Sequence, residues 1–148
     1  MFKNIIFGFT LLASMSCFAN EQECISIEKN LLKCVGKVYK PFGSITYERI
    51  YNDKKDFVGG TFIGINSGYK LFGKVYVIFN IAKKHWEIRD ENNIFLVFLN
   101  DEINIPTVIS IDERRWSFKV LGVFQPVTQL GLATEVENTL SLVIDLID

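Results

Sequence analysis

The feature that most constrains this chain is a two-residue alternation through residues 57–81, FVGGTFIGINSGYKLFGKVYVIFNI. That period sends successive side chains to opposite faces of a strand. Asn66-Ser67-Gly68 interrupts it with the residues of a three-residue hairpin loop, in which Gly68 takes the left-handed position at little steric cost. The stretch is therefore expected to form one long β-hairpin pairing Ile65 with Tyr69 and Phe57 with Val77. One face would carry Phe57, Gly59, Thr61, Ile63 and Ile65 opposite Val77, Val75, Gly73, Leu71 and Tyr69. It is almost wholly apolar, as a core face should be. The other face pairs Phe62 with Phe72 and Val58 with Tyr76, and also carries Lys70 and Lys74.

Further strands are expected on both sides of this hairpin. Residues 34–40 and 44–51 flank the turn signal Lys40-Pro41-Phe42-Gly43, and in the second of them Ile45, Tyr47 and Arg49 face one way. Residues 85–89, 94–99, 103–111 and 116–123 follow the hairpin. Pro106 removes a backbone donor within the third of these segments, which makes that strand an edge or a bulge. Acidic pairs at Asp90-Glu91, Asp101-Glu102 and Asp112-Glu113 recur eleven residues apart, the length of one strand plus one turn. At the end of the chain Leu140, Leu142, Ile144 and Leu146 alternate and favour a last strand. A short helix is the competing reading there, with Thr134 and Glu137 as a capping box. The fold class is thus all-β, with one short helix at most. Its architecture is a compact antiparallel barrel or a two-layer sandwich built on a meander. The glycines at 59, 60, 64 and 73 suit a strongly bent sheet.

Residues 1–19 have the layout of a secretory signal peptide. Lys3 supplies the positive charge, an apolar run from Ile5 to Ala13 is too short to span a bilayer, and Ala19 precedes the expected cleavage. Lipidation at Cys17 is the rival processing, disfavoured by Ser14 where such sites carry a larger aliphatic residue. The remaining residues, 20–148, form a single β-rich domain that is exported to the periplasm or secreted. After cleavage 15 basic and 17 acidic residues remain, a balance that attracts neither nucleic acid nor an anionic membrane surface. No later stretch reads as an integral membrane segment. Cys24 and Cys34 remain as an isolated pair, which in an oxidising compartment forms a disulfide. With Glu28-Lys29-Asn30 as a hairpin loop the two fall opposite each other; a short helix is the alternative. The crosslink should contribute about 2–3 kcal/mol through the unfolded state.

Residue types that carry chemistry are sparse. His85 is the one histidine and has no partner at metal-ligand spacing, so no metal and no cofactor are expected. The acidic pairs read as turn residues before they read as a calcium or carboxylate site. No catalytic constellation is visible, so the chain is read as a non-enzyme. The expected function is a small binding protein of inhibitor or immunity type, acting on another exported or periplasmic protein. Its contact residues would come from the hairpin tip, Asn66, Ser67, Gly68 and Tyr69, and from Arg114, Arg115 and Trp116. Arg and Trp are the residues that hot spots favour. The alternative is a carrier of an apolar ligand in a barrel interior, with Phe62, Phe72 and Tyr76 around the ligand.

Overall fold

Strands joined by tight turns account for nearly all of the computed structural model, which describes residues 21–28, 30–40, 43–124 and 138–147. The expected leader with Cys17, and the capping box at Thr134 and Glu137, lie outside the described residues. Eleven strands occur in chain order: β1 (Glu21–Ile27), β2 (Leu31–Lys40), β3 (Gly43–Tyr51), β4 (Phe57–Asn66), β5 (Tyr69–Lys70), β6 (Val75–Asn80), β7 (His85–Asp90), β8 (Phe95–Phe98), β9 (Thr107–Ile111), β10 (Arg114–Phe124) and β11 (Thr139–Leu146). They form a seven-stranded sheet in the order β1-β2-β3-β4-β11-β10-β9 and a four-stranded sheet in the order β5-β6-β7-β8. Every pairing is antiparallel. The arrangement is an open two-layer sandwich, not a closed barrel.

The Cys24–Cys34 reading holds in detail. The two residues are directly opposite across β1 and β2, and Ile27 faces Leu31. A disulfide joins them with Cα atoms 4.0 Å apart. The C-terminal segment is a strand, with Leu140, Leu142 and Ile144 fully buried on its inner side.

The long hairpin at 57–81 does not form. Both edges of β4 are taken, one by β3 and the other by β11. After Asn66 the chain therefore leaves the large sheet and starts the small one. Tyr69 pairs with Val77 and Lys70 with Tyr76, and the Leu71 amide donates to the Val75 carbonyl. The hairpin turn is thus Phe72-Gly73-Lys74, with Gly73 at φ 84° in the left-handed region. Gly68 is left-handed too, as its place in a turn requires, but that turn connects two sheets. Ser67 Oγ accepts a hydrogen bond from the Phe79 amide at 2.9 Å, tying the crossing to β6.

The expected faces of β4 also change. Phe62 points into the core, while Ile63 is 51% exposed. Gly64, at φ 82°, and a register shift against β11 then return Ile65 to the inside. A Cβ on Gly64 would lie 2.8 Å from the Ser44 carbonyl oxygen, so both conformation and space demand glycine there.

Directly paired residues share a face, so the registers chain into rows across the large sheet. Gln22, Gly36, Tyr47, Phe62, Leu142 and Val120 make one inward row; Cys24, Cys34, Arg49, Gly60, Ile144 and Phe118 make the next. The small sheet covers these rows with Val75, Val77, Trp86 and Ile88, all fully buried. Each such side chain contributes about 1.5–3 kcal/mol by leaving water. Among the described residues β1 and β2 add little to this core, chiefly the buried Cys34 and the partly buried Val38 of β2.

Gly60 sets the spacing between β3 and β4. A Cβ built there would meet the Glu48 carbonyl oxygen at 2.3 Å, whereas one on Gly122 meets nothing within 4 Å. Gly60→Ala should therefore lower stability by about 3 kcal/mol, as overpacking against backbone does. Gly122→Ala should change it by no more than about 0.5 kcal/mol. Urea unfolding of both variants checks the contrast.

Candidate functional site

The four-stranded sheet has a polar, aromatic outer side. His85, Glu87 and Arg89 alternate with the core residues Trp86 and Ile88 along β7, so period-two geometry puts the three on that outer side. Glu87 is nevertheless only 2% exposed. Arg89 donates from Nε to Glu87 Oε2 at 2.7 Å, and His85 Nε2 is 2.9 Å from Oε1. Asn80 Nδ2 approaches the same oxygen at 3.5 Å. Burial pushes the Glu87 carboxyl up, but the hydrogen bonds from Arg89 and His85 outweigh it and hold the pKa below its ordinary value. Arg89 also donates from Nη1 to Asn93 Oδ1, which anchors the β7–β8 turn.

Phe98 sits opposite Glu87 in the register and lies edge-on to His85, with ring centroids 4.5 Å apart. Phe95 packs on Phe98 at 4.8 Å. Both aromatics stay largely in solvent, at 45% and 54% exposure, and Ile94 and Leu96 beside them are exposed as well. β8 is also the edge strand of its sheet. A fixed carboxylate and arginine thus underlie an aromatic pair on an edge strand.

A cleft of about 350 Å³ opens elsewhere, between β3 and β4 of the large sheet and the β5–β6 turn. Arg49 forms its polar floor, Phe57 and Phe72 its apolar wall, and Lys70 and Gly73 its rim. Arg49 belongs to an inward row, so its guanidinium lies between the layers, 4.3 Å from the Tyr47 ring centroid and 5.5 Å from that of Phe62. It donates from Nη2 to Tyr69 Oη at 2.9 Å. Burial holds the Tyr69 hydroxyl above the usual phenol range, with the Arg49 charge opposing. Lys74 and Asp112 pair at 2.5 Å and link the β5–β6 turn to the β9–β10 turn. Both are over half exposed, so the pair steers the turn without adding much stability.

The residues expected to form a contact surface are distributed differently. Asn66 and Tyr69 are half-buried and Ser67 and Gly68 exposed, all at the crossing between sheets. Trp116 is enclosed, stacked on Phe57 at 5.8 Å and packed on Phe72 at 4.6 Å. Arg114 and Arg115 are exposed next to it. They follow a two-residue turn in which Asp112 and Glu113 both have positive φ, so that acidic pair serves as turn residues. Among the residues expected around an apolar ligand, Phe62 is in the core, Phe72 is in the wall of the cleft and Tyr76 faces away on the outer side of β6. They do not line a common space.

Arg49, Glu87, Arg89, Phe95 and Phe98 were not marked by their types alone. Two signals point to them in retrospect. Arg49 continues the face of Ile45 and Tyr47, a charge on a core stripe. The sequence His85-Trp86-Glu87-Ile88-Arg89 puts opposite charges two residues apart on one strand face. No protein-family model matches the chain, and no similar curated protein or solved structure is found.

Glu87 makes stability depend on acid. Its pKa is lower folded than unfolded, so its contribution is complete above the unfolded value near 4.5 and is lost as pH falls through the folded value. Glu87→Gln should cost about 2–3 kcal/mol near neutral pH, because Arg89 and His85 lose their shared partner. The gap from the parent protein should narrow as the pH drops below that range, as measured by denaturant unfolding along a pH series.

Proposed function

We propose that this chain is a small exported, non-catalytic binding protein that acts on another exported or periplasmic protein. The observation that carries this reading is the outer side of the four-stranded sheet, where Phe95 and Phe98 stand exposed over the buried Glu87–Arg89 pair. Aromatics and arginine dominate the energetics of protein interfaces, above all where their geometry is fixed before binding. Here Arg89 is held by two acceptors and Phe98 by His85, so little side-chain freedom remains to be lost. The edge of β8 adds unpaired backbone groups beside the same aromatics, to which an extended partner segment can add as a strand.

Export is supported by the leader-like pattern at residues 1–19 and is compatible with the disulfide. Among the described residues no helix is long and apolar enough to cross a membrane. The reading without catalysis is supported by the use of the ionisable groups on this face, where Glu87, His85 and Arg89 satisfy one another.

A photo-crosslinking amino acid placed at Leu96 should give a discrete crosslinked species in the native compartment. The same group at Ile63, an exposed apolar residue on the other sheet, should not. With the partner purified, Phe95→Glu should weaken binding by about a hundredfold, the effect of losing one hot-spot aromatic, while leaving the unfolding midpoint unchanged. Equal crosslinking at both positions, or undiminished binding by the variant, would count against this face.

A further inference from the structure

We infer that the cleft floored by Arg49 is a binding site for a carboxylate that carries an apolar body. This goes beyond the protein-binding reading and uses a different surface. Arg49 is a half-buried cation, and among the described residues it has no carboxylate partner. Cations elsewhere are matched: Lys33 pairs with Glu48, Lys74 with Asp112, and Arg89 with Glu87. Glu48 is next to Arg49 in sequence but points to the opposite face of β3, where it meets Lys33. Withdrawing a guanidinium from water without a counter-ion is costly, and the rings of Tyr47 and Phe62 offset only part of that cost.

Its donors are also under-used. Nε is buried with no acceptor, and the bond to Tyr69 Oη is the only hydrogen bond the group makes among the described residues. Tyr69 accepts from Arg49, so its own proton is free to point elsewhere. Among the residues lining the cleft, Arg49 supplies a positive side chain and none supplies a negative one; Lys70 borders it, with its ammonium turned to the outer side over the Tyr76 ring, 5.6 Å from the centroid. Tyr51, Phe57 and Phe72 add aromatic surface to the same lining. A fork of N–H donors at the end of an apolar slot matches a carboxylate on an aromatic or aliphatic body. The volume, about 350 Å³, is at the small end for ligand sites, which excludes a large ligand.

The test uses the oxidised, disulfide-bonded protein and proton–nitrogen NMR of the Gly73 amide and the Arg49 side chain. The probes are acetate, hexanoate, octanoate and phenylacetate, each compared with its primary amide. Saturable shifts should appear and strengthen from acetate to the larger acids, and each amide should bind at least about tenfold more weakly. Arg49→Gln should abolish the shifts at Gly73. Because Arg49 packs on the core, Arg49→Lys provides a second variant that keeps the charge and loses the fork of donors; it should weaken binding several-fold with the fold intact. A peptide ending in phenylalanine, free or amidated at its C-terminus, separates the two sources of the group: tighter binding of its free form than of phenylacetate assigns the carboxylate to a chain end. No shift with any acid, equal binding of acid and amide, or an unchanged affinity in Arg49→Lys would overturn the assignment. Phe95→Glu should bind the acids as the parent does, which keeps this test separate from the protein-binding surface.

Discussion

The pairing of β4 with β11 is the constraint on which the rest of the structure depends. It joins the two halves of the large sheet, with Ile65 beside Leu140 and Phe62 beside Leu142 at the centre of the core. Since β3 already holds the other edge of β4, no position beside β4 is left for residues 69–70. The chain has to cross to a second layer, and the strands it makes there become the cover of the first. Both layers, and the cleft between them, follow from which strand claims the free edge of β4.

Local features of the fold were legible in the sequence, and its long-range pairing was not. The disulfide hairpin, the alternation of the last strand and the turns at the acidic pairs are set by residues a few positions apart. Propensity and period describe such residues well. The failure at 57–81 is instructive because two glycines there each suit a turn. Gly68 and Gly73 both adopt positive φ, so either could close a hairpin on local grounds. The choice is made by Leu140 and Leu142, more than seventy residues downstream of Gly68, and no local pattern reports it. The exchange of Phe62 and Ile63 between faces has the same origin, since a bulge at Gly64 shifts the alternation by one residue.

The two arginines illustrate how position on a sheet determines what a charge does. Arg89 lies on an outer face beside a carboxylate two residues away on the same strand, and the pair fixes a surface. Arg49 lies on an inner face in a row of apolar side chains, where its neighbours are rings and a phenol. The first arginine is neutralised within the fold. The second has no carboxylate partner among the described residues and borders the cleft beside the β5–β6 turn. Composition registers both as a single positive charge each; only their faces separate them.

The strand order has a consequence for how the chain acquires its structure. β1 to β4 form a local meander, with a disulfide that can close as soon as residue 34 is available. Their growing sheet ends in β4, whose open edge and buried-face residues wait for a partner from the opposite end of the chain. Such non-local pairing raises contact order and slows folding, because the loop must be closed before its contacts can stabilise it. Until β11 arrives, β4 presents an unpaired apolar strand. A chain cut before residue 139 would keep that edge permanently exposed, and it would be prone to pair with other molecules through the same backbone groups that β11 normally occupies.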